Sequence, residues 1–463
     1  MVGVTLPERS LRRWRWLLGV LAATLAESLP AGSPGEDDWK FDLVHLRDGR
    51  SLPGLVVEQT ATDVRFLYVS RKPGSPTFVT PVTWKRSEIE RVELLDAKER
   101  ERLVARLKAL DPGGKDEAER MARLTLKAIP WGKDPRATAL RYQSAHFTLE
   151  SNAAEDVVRR AAVRLEQLYS AFVRYLPPRA PSAEPTTILL ARSLADYQTL
   201  LKDRGHNLLN PAYYDPVRNQ VVCGSELQRL GDELERVRRQ HHQLLAELQE
   251  REAELHKLYK GRVPPQLLTP IREGRQKIAQ ADAAHEKNFR EATQRLFRRL
   301  YHEAFHAYLD NFVYPGNEAV VPRWLNEGLA QIFESGFVEA GEMRIGHVEK
   351  DRLERLKEAI RQGELVGLAD LLRSGPKQFL VAHDSERQVS NRHYLTSWAL
   401  VHYLVFERRL LGTRAMDRYT RALGRGTDPL EAFRDLVSQP LPSFEKEFRR
   451  YLTQLRPDGS AGP

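Results

Sequence analysis

A helical periodicity that starts at Leu227 and is interrupted only once before Tyr308 constrains this chain more than any other feature. Leu230, Leu234, Val237, Leu244, Leu248, Leu255 and Leu258 recur at spacings built from threes and fours, with His241 and Arg251 in the remaining positions of the same seam. A helix with one apolar seam has to bury it against a partner. The stretch Gly261–Pro270 contains Pro264, Pro265 and Pro270, which end the first helix, and a second helical pattern runs from Ile271 through Leu300. The expected product is an antiparallel coiled-coil hairpin over residues 225–300, projecting roughly 50 Å at a rise of 1.5 Å per residue. Such an arm serves either as a docking surface for a protein partner or as a rigid spacer.

The second arm runs into His302-Glu303-Ala304-Phe305-His306 without losing its period. Phe297, Leu300, Tyr301, Ala304, Phe305 and Tyr308 recur at helical offsets and form one buried stripe, which leaves His302 and His306 on the neighbouring face. Histidines four apart sit one turn above each other, so both imidazoles can reach one ion at the roughly 2.0–2.1 Å that zinc requires. Glu303 flanks such an ion without ligating it, and is the candidate base for taking a proton from an attacking water. A third ligand comes about twenty residues later, in Pro322-Arg323-Trp324-Leu325-Asn326-Glu327-Gly328-Leu329-Ala330-Gln331. Pro322 suits a helix start. Leu325, Leu329, Ile332 and Phe333 form its apolar stripe. Glu327 falls off that stripe, and the small residues Gly328 and Ala330 admit a close neighbouring helix. Two histidines and a glutamate make a three-protein-ligand zinc shell with its fourth position left for water or substrate.

On these residues the chain resembles the gluzincins, zincin metallopeptidases whose third ligand is the glutamate of an Asn-Glu-x-x-Ala helix, here Asn326-Glu327-Gly328-Leu329-Ala330. More narrowly, it is similar to the peptidase-MA-like domains of uncharacterised exported bacterial proteins. Four segments carry that likeness: the strand Ser144–Leu149, the His-Glu helix, the Trp-Leu-Asn-Glu-Gly helix and a downstream helix at Tyr394-Leu395-Thr396-Ser397-Trp398-Ala399-Leu400-Val401. The resemblance spans roughly residues 140–455 and implies an α+β zincin fold, one zinc ion per chain and a peptide or protein substrate. It also implies a downstream Tyr or His that stabilises the oxyanion. Tyr394 is the candidate, beside His393, although a tyrosine with a buried ring and a satisfied hydroxyl fits the position equally well. Asp310, one turn beyond His306, is either a carboxylate that orients that histidine or an exposed one at the helix end.

Upstream, residues 37–96 alternate apolar and polar between turn formers such as Asp48-Gly49 and Lys72-Pro73-Gly74, which reads as a small all-β, SH3-like barrel. Phe41, Leu43, Val44, Leu46, Leu55, Val56, Val57, Val64, Phe66, Leu67 and Val69 would fill it, as a ligand- or wall-binding module or as a plain structural one. Residues 97–135 read as a helical linker. The gluzincin-like domain then occupies 136–456, and 457–463 is expected to be a disordered tail. Within that domain a strand at 146–149, a helix at 153–176, a strand at 186–191 and a further strand around 212–223 precede the hairpin, and helices at 428–437 and 442–455 close it.

The first residues have the pattern of an export signal over residues 1–31: Arg9, Arg12, Arg13 and Arg15, then an apolar run from Trp16 to Ala26, too short to span a bilayer. The expected location is therefore periplasmic, cell-surface or extracellular, with no stable membrane span. Cys223 is the single cysteine, which excludes an intrachain disulfide and a cysteine-based metal site. A net charge of +9 over 463 residues fits a basic soluble surface, and no nucleic-acid-binding motif accompanies it. The expectation is an exported zinc peptidase. The alternatives are a secreted scaffold that keeps a zincin fold with little or no peptidase activity, and a zinc hydrolase of another carbonyl substrate.

Overall fold

The computed structural model describes residues 39–462 except 73, 111–114, 133, 181–183, 206–209, 317–318 and 380–383. The expected export segment at 1–31 lies outside the described residues. The chain is of the α+β class and divides into two compact units, the smaller holding residues 40–69 and 79–100. That unit is built on strands β1 (Asp42–Leu46), β2 (Ser51–Gln59), β3 (Asp63–Ser70), β4 (Phe78–Lys85) and β5 (Ile89–Glu93), in the sheet order β4-β3-β2-β1-β5. β1 pairs antiparallel with both β2 and β5, setting Val44 opposite Leu52 on one side and Val92 on the other.

The expected barrel does not close. Among the described residues β4 and β5 remain the two edges of an open antiparallel sheet. Pro81 in the middle of β4 has no N–H to give a further strand, which suits an edge. Nor does the expected interior all point inward. Val44, Leu46, Val56, Val64 and Phe66 form the core, whereas Val57 is 45% exposed. At the end of this sheet the fully buried Asp42 carboxylate accepts hydrogen bonds from Val56 N–H (2.8 Å), Leu95 N–H (2.9 Å) and the Arg100 guanidinium (2.6 Å).

α1 (Ala97–Ala109) begins in the smaller unit and continues into the larger, where α2 (Lys115–Arg123) leads to six strands, β6 (Lys127–Trp131), β7 (Asp134–Gln143), β8 (Phe147–Ser151), β9 (Thr186–Ala191), β10 (Ala212–Asp215) and β11 (Gln220–Gly224). Helices α3 (Glu155–Tyr175) and α4 (Leu194–Asp203) fall between them. The order is β10-β11-β9-β8-β7-β6, parallel across β11-β9-β8 and antiparallel elsewhere. The sheet therefore starts at Lys127, inside the stretch read as linker. The single strand expected near 212–223 is a hairpin, β10 to β11, whose turn puts Asn219 at a positive φ of 48°.

α5 (Leu227–Leu258) and α6 (Pro265–Tyr308) then form the antiparallel helical hairpin. His241 pairs with Asp282 at 2.6 Å and Arg275 with Glu252 at 2.5 Å, while Leu248 closes over Gly274. The seam is only partly used. Leu244 is 46% and Leu258 74% exposed, so the apolar repeat does not continue as packing to the tip. α6 begins earlier than its proline pattern implied. Pro265 occupies the first helical turn and Pro270 lies inside the helix, where its missing N–H removes one ladder bond without ending it.

The remaining elements are α7 (Arg323–Glu334), the short pair β12 (Phe337–Glu339) and β13 (Glu342–Arg344), α8 (Lys350–Arg361), α9 (Leu368–Leu372), α10 (Asp384–His402), α11 (Arg414–Gly424), α12 (Pro429–Val437) and α13 (Leu441–Gln454). Asp428 caps α12 by accepting from Leu430 N–H and Glu431 N–H. The residues after α13, expected to be disordered, fold back so that Arg456 N–H donates to Ser460 O at 2.8 Å. One apolar core joins α3, the inner face of the sheet, the end of α6, α7 and α10. Among the described residues no helix is long and apolar enough to cross a membrane.

His402, at the end of α10, is fully buried against Trp398, Phe406 and Tyr451, and its Nδ1 lies 2.9 Å from the Tyr451 hydroxyl. Burial pushes its pKa from 6.5 down to about 3. Between those values the unfolded chain holds a proton that the folded chain refuses, so stability falls as pH drops through that window. Urea unfolding at pH 7 and pH 5 checks this: the native chain is expected to lose about 2 kcal/mol more than His402→Gln over the interval.

Candidate metal centre

α6 enters the core of the larger unit as a helix with one buried stripe. Leu300, Ala304, Phe305 and Tyr308 are fully enclosed, and the next face carries His302 and His306. α7 packs across it, with the Phe305 and Phe333 rings stacked at 4.9 Å and both rings held edge-on by Phe172 of α3. That clamp fixes α7 so that Glu327 faces the two imidazoles. Gly328 permits α10 to lie directly on α7: a Cβ there would stand 2.4 Å from Val401 Cγ2 and 2.8 Å from the Ser397 carbonyl oxygen.

His302, His306 and Glu327 converge. Their candidate ligand atoms all lie within 4.8 Å of one another, and the group could hold a metal ion. His302 Nε2 is 3.2 Å from Glu327 Oε2, and His306 Nε2 is 3.8 Å from Glu327 Oε1. The two rings are 4.8 Å apart and nearly perpendicular, at 85°. Both histidines are anchored through their other nitrogen. His302 Nδ1 bonds Glu334 at 2.8 Å and His306 Nδ1 bonds the Asn326 side-chain oxygen at 2.7 Å. With Nδ1–H donated in each case, both Nε2 atoms are turned toward Glu327, the arrangement by which neighbouring groups orient a metal-binding histidine.

The electrostatics agree with that geometry. Glu327 is only 1% exposed, and burial alone would raise its pKa. His306, His302 and Arg323 outweigh burial and bring it down to about 2, with the Arg323 guanidinium 2.7 Å from Oε1. Glu334 is likewise held below the usual carboxylate range, against the effect of burial, by His302 and by Arg352 at 2.9 Å. His302, between these two carboxylates, has its pKa raised although burial acts the other way. A buried carboxylate kept ionised and two imidazoles with directed Nε2 atoms form a donor set of the kind that binds a divalent cation.

Glu303 is half-buried beside His302, and its charge reaches Tyr197, Cys223 and Tyr394. Tyr394 stands at the edge of the group. Its hydroxyl donates weakly to the Phe379 carbonyl at 3.3 Å, and burial, then the charge of Glu327, raise its pKa, so it remains a donor. Gln331 ties it in place by donating to the Tyr394 carbonyl at 3.0 Å and to the Glu327 carbonyl at 3.3 Å. His393 packs its ring on Phe379. Asp310 is exposed, the second of its two readings, and Asn326 is the residue that bonds His306 Nδ1.

Glu334, Arg323, Arg352 and Gln331 were not singled out from the sequence. Glu334 was within reach: it follows Glu327 by seven residues, two helical turns, and therefore shares its face. Arg352 belongs to α8, and nothing local connects it to this site.

A family model described as a protein of unknown function (DUF1570) matches residues 298–421. That span contains His302, Glu303, His306, Glu327, Glu334, Arg352 and Tyr394 and omits the small β-unit, the six-stranded sheet and most of the hairpin. No curated protein and no solved structure matches the chain.

Two outcomes are expected from this geometry. Glu334→Ala and Asn326→Ala should each lower divalent-metal affinity about 10- to 100-fold in a chelator competition, since each removes an acceptor that aims an imidazole. Gly328→Ala should reduce folding stability by about 1–3 kcal/mol in chemical denaturation, because α10 has no room to retreat without opening the core.

Proposed function

We propose that this chain is an exported zinc-dependent metallopeptidase of the gluzincin type, with His302, His306 and Glu327 as the metal ligands and Glu303 as the general base. The observation that carries this reading is the convergence of two imidazoles and an ionised, buried carboxylate, each imidazole locked by its own Nδ1 acceptor. Zinc fits the donor set because it favours four-coordinate nitrogen and oxygen shells in which three protein ligands leave one position open. A zinc ion bound there supplies Lewis acidity toward a carbonyl oxygen and raises the acidity of water.

The chain's own residues account for the other steps. Glu303 takes the proton of the attacking water and returns it to the leaving amine. Tyr394, kept protonated by burial, donates to the developing oxyanion after exchanging its 3.3 Å bond to Phe379 O for the substrate. β10 is the outermost strand of its sheet among the described residues and packs against α6, the helix that carries the histidines, so an extended peptide has a main-chain edge to pair with.

Metal content of the purified chain and cleavage of a peptide library test this reading together. The expected results are about one zinc per chain, loss of the metal in Glu327→Ala, and metal retained with cleavage reduced about 10²- to 10⁴-fold in Glu303→Gln. The exposed leucines of the helical arm favour a second reading, a secreted scaffold that keeps a zincin fold. Bound zinc without cleavage of any peptide would decide for the scaffold, and failure of the three ligands to bind any metal would sink the peptidase reading.

A further inference from the structure

A cleft of about 910 Å³ opens on the other side of the His302–Glu334 pair, away from the metal-facing Nε2 atoms. Phe289, Thr293, Phe297 and Tyr301 recur every four residues along α6 and form one wall, and Phe337 also lines the cleft. Phe297 and Tyr301 are buried, and Phe289 is partly so. The same cleft is lined by guanidiniums: Arg160 and Arg164, one turn apart on α3, and Arg298 on α6.

The charges around the cleft do not balance. Three arginines face two carboxylates, Glu117 and Glu334. Arg160 and Arg164 share Glu117 as their acidic partner, Arg160 Nε standing 3.5 Å from it. Glu334 is already engaged by His302 and Arg352. Arg298 reaches Glu349, outside the lining, at 2.5 Å and keeps further N–H groups to donate. An open cleft with a volume within the range of small-molecule sites, an aromatic wall and guanidinium N–H groups left to donate specify an occupant with an apolar body and one anionic head.

We infer that this cleft is a binding site for an amphipathic organic anion, such as a medium-chain or aromatic carboxylate, distinct from the metal centre. The apolar body lies along the Phe289–Tyr301 wall and the head meets Arg160, Arg164 and Arg298. Because Glu334 is part of the lining, the occupant also touches the carboxylate that holds the His302 ring.

Anilinonaphthalene sulfonate, an aromatic anion of this kind, is the probe, titrated by fluorescence into the full-length chain. Saturable binding is expected, displaced by decanoate and not by decanol. Arg298→Gln should weaken it about tenfold, the loss of one charge-assisted hydrogen bond. Thr293→Trp, which fills the cleft from a helix position, should abolish it while circular dichroism stays unchanged. Displacement by decanol as effective as by decanoate would remove the anionic head from the inference. Undiminished binding in both variants would place the probe elsewhere and overturn the site.

Discussion

The larger unit is organised around a carboxylate that cannot be left alone. Glu327 lies inside the protein, and an ionised group in that position is costly unless opposite charges and hydrogen bonds meet it. Its two oxygens meet different partners, Oε2 facing His302 and Oε1 facing His306 and Arg323. Satisfying them requires α6 and α7 to cross at one angle and one register. The stacked Phe305 and Phe333, with Phe172 against both, supply the apolar contact that holds this crossing. Polar requirement and apolar packing thus specify the same geometry, which is how a buried ionic group comes to mark a single arrangement of its helices.

The parts of the structure written in local spacing were legible. Two histidines four apart on a helical period, and a glutamate in a second helix opening with proline, suffice to name the residues that converge, because helix geometry alone fixes which side chains share a face. The hairpin was legible for the same reason. What the periodicity could not convey is where burial ends: Leu244 and Leu258 continue the apolar repeat, yet α6 offers them no covering surface. The β-unit shows the same limit, since alternation reports that one face is buried and says nothing about whether the outermost strands meet. The anchors of the two imidazoles divide in an instructive way. Asn326 and Glu334 lie on the helix that carries Glu327, Glu334 on the same face by its period, whereas Arg352 arrives from α8, a tertiary contact with no signature in sequence.

Close packing behind the ligands explains why α7 is so intolerant of bulk. Trp324, Leu325, Leu329, Ile332 and Phe333 are buried together with Gly328 and Gln331, so this twelve-residue helix has little exposed surface at all. The glycine lets the Ser397–Val401 turn of α10 come into backbone contact, and Gln331 then bridges to the Tyr394 carbonyl one turn earlier. Tyr394 is positioned through that pair of contacts, not through its own weak hydroxyl bond to Phe379. A residue offered for chemistry is better held by its backbone than by the group that must exchange partners.

α6 also explains why the anion cleft and the metal group are neighbours. Residues 289, 293, 297 and 301 fall along one line of the helix, while 302 and 306 follow one residue later, about 100° around the axis. The first line faces the cleft and the second faces Glu327, so the helix separates an apolar site from a charged one by its own thickness. Glu334, two turns beyond Glu327, closes the boundary by contacting His302 from the cleft side. Inserting a single residue between Tyr301 and the hairpin would leave His302 and His306 in register with each other but rotate Phe289, Thr293 and Phe297 off the cleft wall. The unbroken run of α6 from the arm into the histidine turn therefore holds both faces in one fixed relation.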